Sequence, residues 1–404
     1  MTPPARTESS RTDPAQTRTV LVSGEGPGVP EVAAATALHA AGRGRRTLLL
    51  AADDPHRQLD ALLGVRLDER PVPVADGCWA VRLDEQQAFR RAFDGLGDKL
   101  RTGFDLLGVD PLDEDELTAL PGARQLALLR ALRRTPGEWD QVVAAGPPPA
   151  ELTAALALPE QLDRYLARLL PEQRQAARAL RPLLAAAVGV PIPADWLYRA
   201  RAWTSAELAA ARAVIESPAT SVRLVADAGG CRPDGLRRAR AGLALFGHRV
   251  DALVAHRALP AAALDSADPW LAGQAARERE RLAALAPGLP LLIADQQAED
   301  LPELARQLYG EGPGPEPAAE WPWTAENRLA EDGVLLWRLA VPGAERADLE
   351  LVRRGDELVV GLGPYRRILP LPSALRRCTV AGAGLRDGEL TVRFAPDPEL
   401  WPRS

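Results

Sequence analysis

The chain has 404 residues, a formal net charge of −6 and 46% apolar residues, enough to bury a sizeable core and too acidic for a nucleic-acid binder held by broad positive charge. Only one of its basic residues, Lys99, is a lysine, so chemistry that needs one must use Lys99 or do without. Three widely separated cysteines (Cys78, Cys231, Cys378) with no CxxC and only four histidines argue against a disulfide framework, a cysteine zinc site or a metal enzyme. The longest apolar stretch, 183–190, is too short to span a bilayer, and the N-terminus lacks a signal-peptide core, so the expectation is a cytoplasmic protein with no membrane span.

Residues 1–17, rich in Thr, Ser, Pro and Arg without an apolar period, are predicted to be a disordered tail. A strand at 19–22 runs into a glycine-rich loop, a helix over 30–41 and a second buried strand at 47–51, an order that implies a parallel sheet with helical crossovers. Residues 85–135 read as mostly helical with an acidic interruption at 110–116, 140–145 as a strand, 151–190 and 204–217 as helical, and 221–226 as a strand. An arginine-faced helix at 236–246 follows; Arg237, Arg238 and Arg240 read as a solvated face, with a local anion site as the alternative. A strand at 250–255, a helix at 270–285, a strand at 291–294 and a helix at 298–308 complete a doubly wound α/β pattern. The predicted domains are 18–310, a Pro/Gly/Glu linker at 311–321, and a small all-β sandwich at 322–404, whose short apolar runs are punctuated by turns at 354–356 and 386–388.

The loop Gly24-Glu25-Gly26-Pro27-Gly28-Val29-Pro30-Glu31 lies where a phosphate-binding loop belongs. Such a loop works through free backbone N–H groups at a helix N-terminus and a lysine. Here there is no lysine and no Ser or Thr for magnesium, Pro27 and Pro30 lack an N–H, and Glu25 and Glu31 bring negative charge. A like charge at ~4 Å costs about 1 kcal/mol in water and several when partly buried. By itself the loop reads as a poor nucleotide site, a strand–helix turn kept for the fold.

The stretch from Val20 through this loop into Ala33-Ala-Ala-Thr-Ala-Leu38 resembles the start of the arsenite-transport (ArsA) ATPase family, which includes the ATPases that target tail-anchored membrane proteins. The family loop reads GKGGVGKTT; the one here is a residue shorter, and Glu25 falls at the first lysine, which in the family reaches across a dimer to the partner's nucleotide. The second lysine and the threonines fall near Val29, Pro30 and Glu31. Leu48-Leu-Leu-Ala-Ala-Asp-Asp-Pro-His56, with Asp60, resembles the first switch, and Asp53 matches the water-activating aspartate, a strand-end turn residue being the other reading. Asp140-Gln-Val-Val-Ala-Ala-Gly-Pro resembles the second switch, with Ala145 where an acidic residue contacts magnesium. Val254-Ala-His-Arg-Ala-Leu-Pro260 resembles a segment whose asparagine contacts the base; here that position is His256, also readable as a satisfied strand-end histidine. Residues 353–360, 365–375 and 392–401 are similar to the α-crystallin-like (small heat-shock-like) domain appended to some members.

The resemblance implies a P-loop NTPase-like fold with helical insertions and a degenerate nucleotide site formed by Gly24, Glu25, Gly26, Gly28, Glu31 and His256, with Asp53 at the water-activating position. No metal site is expected, and ATP with magnesium only if the degenerate site still binds it. The leading expectation is a pseudo-ATPase acting as a dimeric protein-binding or chaperone-like module; the alternative is a divergent active ATPase coupled to client or ion handling, using Arg43, Arg45 or Arg46 for phosphate. The implied partners are a second copy or an intact ArsA-like paralogue, and a hydrophobic protein client. A client groove would draw on Leu152, Leu156, Leu158, Leu162, Leu166, Leu169, Leu180, Leu183, Leu184, Trp196, Leu197, Tyr198 and Trp203, which ordinary core packing would also explain. Trp321, Trp323, Trp337 and Trp401 either anchor the β domain or fill its core.

Overall fold

The computed structural model describes residues 17–26, 28–90, 116, 118–169, 194–230, 232–285, 287–316 and 323–401, of residues 169 and 194–203 the backbone alone. Residues 1–16 of the predicted tail, Pro27, Lys99, Cys231, Trp321, Leu180, Leu183 and Leu184, and the parts of the predicted helices at 91–115 and 170–190 lie outside the described residues, as do the side chains of Leu169, Trp196, Leu197, Tyr198 and Trp203. Thr17, counted in the tail, is buried and its Oγ donates to Trp139 O at 2.9 Å. In chain order the elements are β1 (Arg18–Glu25), α1 (Val29–Gly42), β2 (Thr47–Ala51), α2 (Gln58–Leu63), β3 (Val72–Ala75), β4 (Cys78–Arg82), α3 (Ala123–Arg134), β5 (Gln141–Ala145), α4 (Pro149–Leu169), α5 (Ala194–Ile215), β6 (Thr220–Asp227), α6 (Pro233–Leu245), β7 (Val250–Ala258), α7 (Pro269–Leu285), β8 (Leu291–Asp295) and α8 (Leu301–Tyr309). The C-terminal strands are β9 (Trp323–Arg328), β10 (Val334–Ala340), β11 (Leu349–Arg354), β12 (Glu357–Leu362), β13 (Tyr365–Pro370), β14 (Cys378–Arg386) and β15 (Glu389–Pro396). No described helix is long and apolar enough to cross a membrane.

The chain divides into two compact units: residues up to Val20, Ala33–Pro147 and Ala154–Ala219 in the first, and Leu21–Val32, Pro148–Thr153 and everything from Thr220 in the second. In the first, β2 lies between β4 and β5, parallel to both. Every residue of β2 and β5 is buried, which is why both read as unbroken apolar runs rather than alternating ones. Strand β3, which sequence reading missed, pairs antiparallel with β4 at the sheet edge. It carries Pro73, a residue tolerated at an edge and one that hides a strand from a pattern search.

In the second unit the strands run β1-β6-β7-β8, with β6, β7 and β8 parallel. Its interior holds a charge pair. Arg223 Nε and Nη2 donate to Asp251 Oδ1 (3.1 Å) and Oδ2 (2.9 Å), with side-chain exposures of 2% and 0%. Ser221 Oγ donates to the same carboxylate at 2.7 Å, and Arg223 Nη1 donates to the Tyr309 hydroxyl at 2.8 Å. The fork also reaches Pro315 O at 3.4 Å, tying the start of the Pro/Gly stretch to the sheet.

The C-terminal strands form two antiparallel sheets, ordered β14-β15-β10-β9 and β11-β12-β13. Val360, Leu390, Val392 and Phe394 are fully buried. Trp337 is buried and Trp323 packs edge-on against it, centroids 5.9 Å apart, so these two tryptophans pack within the β region. Helix α6 meets the β region at several side chains. Arg237 Nη1 donates to Gly343 O at 2.8 Å, and its guanidinium meets Glu345 at 3.2 Å and Asp348 at 3.4 Å. Arg367 Nη1 donates to Leu245 O at 2.9 Å and its guanidinium lies over the Phe246 ring at 5.8 Å. The expected solvated arginine face is therefore corrected at Arg237: it meets acidic residues and a carbonyl that lie more than a hundred positions away, out of reach of any local pattern. Arg240 likewise donates to Pro287 O at 2.8 Å.

Removing one partner of the buried pair should be severe. Asp251→Ala is expected to lower the unfolding free energy by about 3–5 kcal/mol, read from urea unfolding, because Arg223 would be left charged and uncompensated. His248 follows α6 and stacks on Phe246, and its pKa is pushed down to about 3, by burial first and by the Arg367 charge second. The unfolded chain takes up that proton near pH 6.5 and the folded chain does not, so stability is full above that pH and falls on acidification, by at most about 1.4 kcal/mol per pH unit. His248→Leu should flatten the loss between pH 7 and pH 5 in the same assay.

Candidate functional site

The second unit holds the glycine-rich loop. Strand β1 is buried up to Gly24 and emerges at Glu25, where α1 has yet to begin. Gly24 is pressed against β6: a Cβ built on it would lie 2.4 Å from Val225 O. Gly28 has φ +109° and backs onto the His256 ring, with a built Cβ 2.6 Å from His256 Nδ1. At both positions the close approach demands glycine. The sequence-predicted residues Gly24, Glu25, Gly26, Gly28, Glu31 and His256 thus share one neighbourhood.

Two helices begin at this loop. Glu31 lies in the first turn of α1. Glu25 lies against the first turn of α6, where a Cβ on Gly235 would be 3.3 Å from Glu25 Oε2. Helix N-termini carry unpaired N–H groups and partial positive charge, which an anion relieves. Burial lowers the pKa of His256; the Glu31 and Asp227 charges push it up and Arg257 pushes it down, leaving it below the ordinary histidine value. His256 Nδ1 and Glu31 Oε2 are buried with no hydrogen-bond partner among the described residues. A cavity of about 220 Å³ opens beside the loop, with Glu25, Asp227, Arg232 and Gly235 in its wall. Ligand pockets usually run from about 300 to 1,000 Å³.

The first unit holds the switch-like segments. Asp53 Oδ1 accepts from Arg124 Nη1 at 2.6 Å, and Arg124 also meets Glu85 at 3.2 Å. The Asp53 N–H donates to Ala145 O at 3.0 Å. Asp54 caps α2 by accepting from Gln58 N (2.7 Å) and Leu59 N (3.1 Å), and Arg82 ties it to Asp60. His56 is exposed, and Ala145 is fully buried. Arg45 donates to Gln141 Oε1 at 3.1 Å, and Arg46 stacks over Trp139 at 4.7 Å and Trp79 at 5.5 Å; with Arg43 they follow the C-terminal end of α1, the end away from the loop. Leu152 and Leu156 are buried, so this part of the leucine run is core packing.

These residues do not fit a magnesium nucleotide. Magnesium prefers hard oxygen ligands, and the buried Ala145 side chain offers none. The loop presents carboxylates where a phosphate needs cations, and Pro30 cannot donate. Sequence reading missed Arg124, Gly235 and Tyr365, whose partners are far along the chain. Among the described residues no group of His, Cys, Asp and Glu is arranged to hold a metal ion, and Cys78 and Cys378 are buried free thiols.

Fold and loop together define a P-loop-type α/β protein with an antiparallel all-β region after it. The chain belongs to the anion-transporting ATPase (ArsA) family, matched over residues 17–286, and residues 332–394 match the HSP20-like domain found in ArsA. It is 50% identical to the uncharacterized protein SCO2128 of Streptomyces coelicolor over 96% of this chain and 99% of that one. It is 30% identical to protein Rv2184c of Mycobacterium tuberculosis over 96% and 98%. A protein of Aquifex aeolicus named for the arsenical pump-driving ATPases is 24% identical over 93% and 99%.

Gly28→Ala should destabilise the protein by about 1–3 kcal/mol, since it combines a strained backbone with a clash on the ring. Adding His256→Ala should recover part of that loss in thermal unfolding, the clash being relieved and the backbone strain remaining.

Proposed function

We propose that this member of the family is a pseudo-ATPase that works as a dimeric protein-binding or chaperone-like module. One observation carries the reading: the two helices that begin at the loop already have a carboxylate of this chain in their first turns, Glu31 on α1 and Glu25 against α6. A phosphate binds such ends because their N–H groups and partial positive charge lack a counterpart. Here a triphosphate would have to expel Glu25 or lie beside it, without a lysine to offset the repulsion. The Asp53 carboxylate supports the same reading, being held by Arg124 rather than left to activate water.

In this reading residues 18–310 are the ATPase-fold domain, 311–321 the linker and 322–404 the β domain. The loop site of Gly24, Glu25, Gly26, Gly28, Glu31 and His256 serves structure and assembly instead of turnover. The working unit is a dimer of this chain or a pair with an intact relative in the cytoplasm, acting on a hydrophobic protein client. Family membership and the HSP20-like domain support this assignment.

Calorimetry with Mg-ATP and Mg-ADP at millimolar concentration tests it on the full chain. No saturable heat is expected. Saturable binding accompanied by turnover that Asp53→Ala abolishes would overturn the proposal in favour of an active ATPase.

A further inference from the structure

The β domain touches α6 at a third place besides Arg237 and Arg367. In β13 the ring of Tyr365 rests on Gly242, in the middle of α6. A Cβ built on Gly242 would lie 2.5 Å from Tyr365 Cε2 and 2.6 Å from Cδ2, so the contact exists only because residue 242 has no side chain. The Tyr365 phenol also lies beside the Thr153 hydroxyl at the start of α4. Thr153 is fully buried and donates its own proton to Pro149 O at 2.7 Å. Pro149 lines the loop cavity together with Glu25 and Gly235. The phenol also senses the loop: its pKa is raised by burial first and by the Glu25 charge second.

We infer that Tyr365 is a positioning residue for the glycine-rich loop, through which the C-terminal β domain sets where the Glu25 carboxylate and the start of α4 lie. The tyrosine is planted on α6, lies beside α4 and is adjacent in charge to Glu25, so it spans three of the elements that wall the cavity. Docking of the β domain and the state of the loop then form one coupled equilibrium. A ligand or partner group that draws Glu25 away from α6 loosens Tyr365, and release of the β domain frees the loop. The inference stands whether or not the loop takes nucleotide, and so goes beyond the pseudo-ATPase reading.

Two readouts on the full chain test it. In hydrogen exchange, Tyr365→Phe is expected to speed the backbone amides of residues 24–32 and 150–156 about three- to tenfold, the loss of one polar contact, while β10 and β15 keep their protection. Gly242→Ala, which pushes the ring off α6, should speed the same segments. In carbon-13 spectra of tyrosine-labelled protein, the Tyr365 ring signal is the one that Tyr365→Phe removes. Glu25→Gln should shift that signal and leave the remaining tyrosine signals in place, a response that a purely packing role would not give. Loop exchange unchanged in Tyr365→Phe, or a Tyr365 signal unmoved by Glu25→Gln, would overturn the inference.

Discussion

Helix α6 has its two end charges met by side chains from distant parts of the chain. Glu25, from the end of β1, lies against its first turn, and Arg367, from β13, donates to the carbonyl of its last residue. Both placements follow the sense of the helix dipole, an acid at the N-terminal end and a cation at the C-terminal end, each worth typically a few tenths to 1 kcal/mol. Between those ends the helix buries one side against the sheet and offers the other to the β domain through Arg237 and Gly242. Loop geometry and β-domain docking therefore rest on the same thirteen-residue element.

This arrangement explains why the loop is built on glycines although it carries no lysine. Gly24 and Gly28 are fixed by close packing against Val225 and His256, contacts that hold whatever the loop binds. Glu25 and Glu31 are compatible with the fold because helix N-termini favour negative charge. The glycines and the two glutamates of the loop are thus accounted for by packing and helix electrostatics, and the fold does not by itself say what the loop binds.

Much of the α/β framework was legible in the residues. The apolar runs of β2 and β5 are unbroken because these strands are buried throughout, β6 and β7 are interrupted only by the paired Arg223 and Asp251 and the polar residues at their ends, and each of the four was placed to within a few residues. The short edge strand β3, with its proline, was not. Of the candidate site, Gly24, Glu25, Gly28, Glu31 and His256 could be found because family motifs mark their positions. Arg124, Gly235 and Tyr365 could not, since what singles them out is a partner 71 to several hundred positions away.

The sequence alone determined the layered α/β order, the change to short strands after the Pro/Gly stretch, and the missing lysine, magnesium ligand and N–H donors at the loop. These are local properties, written in periodicity, composition and residue type. Only the tertiary structure decided what surrounds the loop. Whether an arginine faces solvent or a carboxylate, and which helix end a glutamate lies against, depends on which remote residues come within contact distance of it. That distance is a product of packing, and no local pattern records it.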